Sequence, residues 1–161
     1  MGKSPATIRR AVPEDAGIVA AAVKALTDEI IERTRAQHFN VDLPQTTARC
    51  RDFLETGKYV VYLAERDGAC VGFAALCESH ALYAEGTFGI VQEFYVTPDS
   101  RSAGVGQQLV DAAVAHGRRA GWTRLELCTP PLPEFDRALQ FYERNGFEVT
   151  GGRKMKRILG A

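Results

Sequence analysis

The chain has 161 residues, of which 20 are Lys or Arg and 20 are Asp or Glu, so its formal net charge is zero. This length fits one compact domain, expected at residues 1–161 with an ordered core over about residues 5–159. The balanced charge provides no broad positive field, which argues against a nucleic-acid partner. No apolar stretch approaches the ~20 residues that cross a bilayer, so no membrane partner is expected.

Cysteine usage bears on the compartment and on metals. Cys50, Cys70, Cys77 and Cys128 show neither Cys-x-x-Cys spacing nor nearby histidine pairs. We interpret them as reduced thiols of a cytoplasmic protein and expect neither a disulfide nor a metal site. No signal peptide is visible, because the N-terminal residues carry one charge with no apolar core behind it.

The first half of the chain changes from helical to strand periodicity. A short strand at 7–11 precedes a helix that Pro13 opens, since proline and acidic residues favour a first turn. Helical spacing continues with a second piece over 28–37 and a short helix over about 47–56. Alternating residues then predict three strands, at 59–65, 69–77 and 87–96. Asp67-Gly68 indicates a hairpin between the first two of these strands.

The second half alternates strands with helices. The predicted elements are a helix over 104–120, a strand over 124–128, a helix over 134–144, and closing strands over 147–150 and 154–159. Antiparallel strands followed by a β-α-β crossover imply an α/β (α+β) fold. We therefore expect a single mixed, mostly antiparallel twisted sheet with helices on both faces.

A glycine-rich loop joins the third strand to the long helix. Gly104 and Gly106 allow close backbone approach, and the first N–H groups of the helix favour an anion. Arg101 adds a positive charge that can reach phosphate oxygens. The loop therefore predicts a pyrophosphate site without naming the ligand. A Walker loop would need lysine where Gln107 stands, and a Rossmann fingerprint would need a small residue at Leu109.

A second motif lies in the last predicted helix, where Ala138, Phe141 and Tyr142 share one face. With the loop, it makes the sequence resemble the GCN5-related N-acetyltransferase (GNAT) superfamily, which uses acetyl-CoA. The loop matches Arg/Gln-x-x-Gly-x-Gly/Ala at Arg101–Gly106, and the helix matches Ala-x-x-Phe-Tyr-x-x-x-Gly-Phe at Ala138–Phe147. The order of predicted elements resembles the GNAT-like acyl-CoA N-acyltransferase fold over nearly the whole chain.

The resemblance implies an acyltransferase that moves acetyl from acetyl-CoA, its co-substrate, directly to a primary amine of a small molecule or peptide in a ternary complex. Tyr142 matches the tyrosine that protonates the departing thiolate in many members. Members often have asparagine about where Phe135 stands. The sequence leaves the oligomeric state open; dimers are common among similar proteins, so a homodimer is one candidate assembly. The residues implied to hold CoA are Phe94, Tyr95, Val96, Arg101, Ser102, Ala103, Gly104, Val105 and Gly106.

An acceptor amine must lose a proton before it attacks, and Glu93 is the leading candidate for the base. It lies within an otherwise apolar strand, where an unpaired buried carboxylate would be costly. The alternative is a glutamate paired with an arginine on the open face of the sheet. Glu78 and His80 are further candidates for the base, and Cys128 as an acyl-enzyme nucleophile is the alternative mechanism.

Two classes of function remain open. The alternative to an enzyme is a non-catalytic acyl-CoA-binding sensor or interaction module. The presence of both Tyr142 and Glu93 favours the enzyme, while the sequence does not name the acceptor.

Several other conspicuous residues have ordinary interpretations. Trp122 is expected to pack at a strand start, and His38 and His116 are expected to be surface or helix histidines. The acidic residues Asp28, Glu29 and Glu32 are interpreted as a solvated helix face.

Overall fold

The computed structural model describes residues 2–37 and 39–160, and within them the chain forms two compact units that meet in sequence between Leu127 and Cys128. The strands are β1 (Thr7–Arg10), β2 (Val60–Arg66), β3 (Ala69–Ala81), β4 (Gly86–Val96) and β5 (Leu125–Leu127). The helices are α1 (Ala16–Thr34), α2 (Leu43–Glu55), α3 (Val105–Ala120) and α4 (Asp136–Arg144). Of these elements, α4 alone belongs to the second unit.

The first unit is built on one mixed sheet with the order β1-β2-β3-β4-β5. The first four strands pair antiparallel, and β5 pairs parallel to β4. The turn between β2 and β3 has positive φ angles at Asp67 (52°) and Gly68 (80°), as a type I′ hairpin requires. The predicted mixed, mostly antiparallel sheet is therefore confirmed.

Alternation along the central strands divides the core between two faces. Val61, Leu63 and Phe73 pack on the face that carries α1 and α2. Their neighbours Tyr62 and Ala64 pack on the opposite face, against α3. The sheet of the first unit therefore has helices on both faces, as the sequence predicts.

A β-bulge in β4 decides which way its central side chains point. Glu93 lies opposite Ala75 and Val91 lies opposite Leu76, so Gln92 is an extra residue in the ladder. Val91 packs on the α3 face, and in a regular strand Glu93 would share that face. The extra residue turns Glu93 to the α1–α2 face instead.

Helix boundaries differ from the sequence prediction in several places. The predicted separate piece over 28–37 is wrong, because α1 runs without interruption from Ala16 and ends at Thr34, where Arg35 adopts a left-handed conformation. α4 begins at Asp136, two residues after its predicted start. α2 begins four residues before the predicted start, because the Asp42 carboxylate caps it by accepting from the Gln45 N–H (2.9 Å). His38 lies outside the described residues. No helix within the described ranges combines the length and apolarity needed to span a bilayer.

The second unit differs from the prediction after α4. The predicted strands at 147–150 and 154–159 are wrong, since residues 147–160 have no regular secondary structure. Alternation describes the two faces of a strand but does not supply the second strand with which a ladder is formed. The predicted stop of α4 is confirmed, with Gly146 in the left-handed conformation (φ 89°).

Candidate active site

The glycine loop lies between β4 and α3 and is anchored in its first half. Ser100 is almost fully buried, and its hydroxyl accepts a hydrogen bond from Arg66 at 2.9 Å. In the second half, Ser102 (φ 63°) and Gly104 (φ 83°) are both left-handed. Left-handed residues in a turn direct backbone N–H groups toward one side, which creates an anion-binding concavity.

The start of α3 completes this concavity. Gly104 is the N-cap, and among the described residues no side chain caps the helix and no acidic residue stands in its first turn. The Gln108 N–H donates to the Gly104 carbonyl at 3.1 Å, so the N–H groups of Val105 and Gly106 precede the first intrahelical bond. Donors of this kind suit an anion such as a phosphate, so the loop has the local geometry of an anion site.

Arg101 makes contacts within the chain that the sequence did not predict. Its guanidinium donates to Glu29 Oε1 at 2.7 Å and to the Val96 carbonyl at 2.9 Å. It also lies 5.5 Å from the centroid of the Tyr95 ring. Glu29 additionally pairs with Arg33, and its side chain is only 19% exposed, so the interpretation of Glu29 as part of a solvated face is wrong. Arg101 thus ties the loop to α1.

The backbone of β4 determines which groups at its end can meet a ligand. The Thr97 N–H donates to β3 at 2.9 Å, so the backbone of Tyr95, two residues earlier, also points to β3. Phe94 and Val96 direct their backbone groups away from β3. In the described chain, the ladder between β4 and β5 ends at Val91. Phe94 and Val96 are therefore oriented toward an added strand, whereas the backbone of Tyr95 belongs to the sheet.

Glu93 is half-buried on the α1–α2 face and contacts Tyr59. The Tyr59 hydroxyl donates to Oε2 at 2.8 Å and lies 3.0 Å from Oε1. Burial, followed by the Glu93 charge, raises the pKa of Tyr59 well above its ordinary value. The same two causes raise the pKa of Cys50 to about 11. No sequence pattern identified Tyr59, which is 34 residues from Glu93 and meets it only through strand pairing and the bulge.

Tyr142 lies in the second unit, where it is buried. Its ring packs edge-on against Phe141 and Phe147, with centroid distances of 5.4 and 5.8 Å. Burial raises the pKa of Tyr142, so its phenol is protonated at neutral pH. Phe135, at the N-cap of α4, is buried and apolar, so its side chain supplies no polar group at this position.

The other candidates for the base have structural partners elsewhere. Glu78 accepts from the indole N–H of Trp122 at 2.8 Å on the α3 face, across the sheet from Glu93. His80 is exposed, with Nδ1 3.0 Å from the Thr87 hydroxyl. Trp122 packs against Gly89 on β4, which is the packing role that the sequence predicts. Cys128, the alternative nucleophile, is exposed and belongs to the second unit.

Known proteins resemble this chain in sequence and in fold. The family model described as the acetyltransferase (GNAT) domain matches residues 57–149. The uncharacterized N-acetyltransferase YhfO of Bacillus subtilis (strain 168) is 30% identical over 111 residues, which are 69% of this chain and 73% of that protein.

Solved structures that share the fold include the following two. Integron cassette protein HFX_CASS3, from the mobile metagenome of Cole Harbour Salt Marsh, has a TM-score of 0.77 at 19% identity, with 96% of this chain and 91% of that chain covered. A predicted acetyltransferase with acetyl-CoA from Clostridium acetobutylicum has a TM-score of 0.76 at 18% identity, with 94% and 96% covered.

The family match spans more than half of the chain and includes Glu93, the glycine loop and Tyr142. The chain therefore belongs to the acetyltransferase (GNAT) family, as its two motifs predict, and is an acyltransferase.

Proposed function

We propose that the protein is an acetyl-CoA-dependent N-acetyltransferase that moves acetyl directly to a primary amine of a small molecule or peptide. One observation carries the proposal. A single run of chain, from β4 through the glycine loop into α3, presents a half-buried carboxylate at its bulge and an uncapped helix start at its end. The first can accept a proton and the second can hold a phosphate.

CoA brings the acetyl group as a thioester, whose carbonyl carbon accepts a nucleophile. The outward backbone groups of Phe94 and the N–H of Val96 would bond the pantetheine arm as an added strand, and an N–H there would stabilise negative charge developing on the carbonyl oxygen. Arg101 would act by keeping the loop tied to Glu29 on α1. The pyrophosphate would be held by main-chain N–H groups of Ser102, Ala103, Gly104, Val105 and Gly106.

Two residues of the chain, Glu93 and Tyr142, would then transfer protons. Glu93 would take one from the amine, directly or through water, and the amine nitrogen would form its bond to the carbonyl carbon. As the carbon–sulfur bond breaks, Tyr142 would donate its phenolic proton to the departing sulfur, and the second proton that the nitrogen loses on becoming an amide would restore the phenol.

Free-thiol release from acetyl-CoA across a panel of amines, amino acids, polyamines and peptides tests the proposal. We expect release that depends on both the protein and one class of amine, and a loss of about 10²-fold or more in Glu93→Gln. Tight CoA binding without release would instead indicate an acyl-CoA-binding module. Equal rates in wild type and Tyr142→Phe would exclude that tyrosine as the proton donor.

Initial rates with both substrates varied test direct transfer against a Cys128 acyl-enzyme. A ternary complex gives intersecting double-reciprocal lines, whereas an acyl-enzyme gives parallel lines. Cys128→Ala should keep the wild-type rate, and its inactivation together with parallel lines would overturn direct transfer.

A further inference from the structure

Glu93 is held by a residue that the proposed reaction does not otherwise use. Tyr59 directly precedes β2, and its N–H donates to the Phe53 carbonyl at 3.1 Å. The two rings also pack together, with centroids 5.2 Å apart at 59°. These contacts fix the direction of the phenol, whose hydroxyl spans both carboxylate oxygens of Glu93 at 2.8 and 3.0 Å.

We propose that Tyr59 is a positioning residue that orients the Glu93 carboxylate on the α1–α2 face and keeps it ionised, ready to accept the amine proton. The proposal rests on the proposed function and deepens it. A hydroxyl that donates to a carboxylate favours the ionised form and fixes the direction of its lone pairs. The raised pKa of Tyr59 keeps the phenolic proton on oxygen, so Tyr59 donates to the base and does not replace it.

The groups around this pair come from the elements packed on the same face. α2 contributes Cys50, whose pKa of about 11 keeps it a neutral thiol at physiological pH. β3 contributes Cys77, whose sulfur accepts from Gln92 Nε2 at 3.2 Å. Glu29 of α1 is paired with Arg101, which follows the end of β4. Tyr59→Phe keeps the ring and leaves these groups in place, so it isolates the hydrogen bond.

The test measures kcat and KM across pH for Tyr59→Phe with the preferred amine. Loss of a hydrogen bond to a charged group should lower kcat about 10-fold or more, with KM for acetyl-CoA unchanged within about twofold. The acidic limb of the kcat/KM profile should move to higher pH, because the donor that favours the carboxylate is gone. A ¹³C titration of the Glu93 carboxyl should move in the same direction in the absence of substrate.

A matched control exists at the tip of the β3–β4 hairpin. Tyr83 also donates to a glutamate, Glu126, at 3.3 and 3.4 Å, but it is 72% exposed. Tyr83→Phe should therefore keep the wild-type rate and pH profile. Thermal unfolding of both variants verifies that each is folded.

A double variant separates positioning from a general structural role. If Tyr59 acts through Glu93, adding Tyr59→Phe to Glu93→Gln should cause almost no further loss of kcat. A merely structural Tyr59 would lower the rate by the same factor in both backgrounds, and that result would overturn the inference.

The outcomes also distinguish this inference from the proposed function. A normal rate and an unmoved acidic limb in Tyr59→Phe, in an enzyme that Glu93→Gln inactivates, would overturn the role of Tyr59 alone. Full activity of Glu93→Gln would remove both Glu93 and Tyr59 from the mechanism while acetyl transfer stands. Absence of any amine-dependent release by the wild type would overturn the proposed function together with the inference.

Discussion

Replacing Gly104 by alanine tests the glycine loop through backbone conformation rather than through bulk. Gly104 has a φ of 83°, and a Cβ built on it meets no heavy atom of the described chain within 4 Å. Gly121, at the other end of α3, has a φ of 75° and equally open surroundings among the described residues. Gly121→Ala is therefore a matched control, because both substitutions impose left-handed strain and neither creates a clash.

The magnitudes follow from the cost of that conformation. A left-handed backbone costs an L-residue about 1–2 kcal/mol. Each 1 kcal/mol lowers Tm by about 2–4 °C in a chain of this size, so both variants should melt about 2–8 °C below the wild type. At Gly104, relief of the strain moves the N–H groups that would hold the pyrophosphate. Loss of one hydrogen bond to a charged group, about 1.5–3 kcal/mol, corresponds to about 10-fold to 150-fold weaker CoA binding.

Two measurements on both variants, made at fixed salt, test these magnitudes: thermal unfolding without ligand, and CoA titration by calorimetry. We expect similar losses of Tm in both variants and a loss of CoA affinity in Gly104→Ala alone. If Gly104→Ala binds CoA as tightly as Gly121→Ala at the same loss of Tm, the left-handed turn is not part of the anion site.

Three further substitutions test the packing and electrostatics of the first unit. In Gly89→Ala the new methyl overlaps the Trp122 ring, so the free energy of unfolding should fall by about 1–3 kcal/mol in denaturant titration, and an unchanged value would refute this packing. Asp15 is buried and accepts two hydrogen bonds from Arg9 at 2.8 Å. Asp15→Asn should therefore lower the free energy of unfolding by about 1–3 kcal/mol in the same titration, and a change near zero would refute this contribution. Burial, followed by nearby arginines, lowers the pKa of His116 below its ordinary 6.5, so the wild type should lose stability as pH falls through 6.5. His116→Gln should then show a flatter Tm profile between about pH 7 and 5, and parallel profiles would contradict this.

The sequence predicts those features that depend on neighbouring residues. Asp67-Gly68 indicates its hairpin because two adjacent residues must adopt positive φ, and the structure has both. Gly104 and Gly121 likewise predict the ends of α3 correctly, because a left-handed residue at a helix boundary is a local property.

The features that the sequence does not predict depend on contacts between distant segments. The bulge at Gln92 exists only in the register of β4 with β3, and it decides the face on which Glu93 lies. The pair of Arg101 with Glu29 joins residues 72 positions apart. Alternation near the C-terminus predicts strands in the same way as it does for β2–β4, but it does not provide the partner that a ladder requires.

A product balance is the decisive measurement for acetyl transfer to an amine. The purified protein is incubated with acetyl-CoA and the amine chosen from the panel, and free CoA and N-acetylated amine are quantified together by chromatography and mass spectrometry. We predict that the two products appear in equal amounts, that both require the protein and the amine, and that both slow in Glu93→Gln. Release of CoA without acetylated amine, or no release at all, would contradict the proposed N-acetyltransferase.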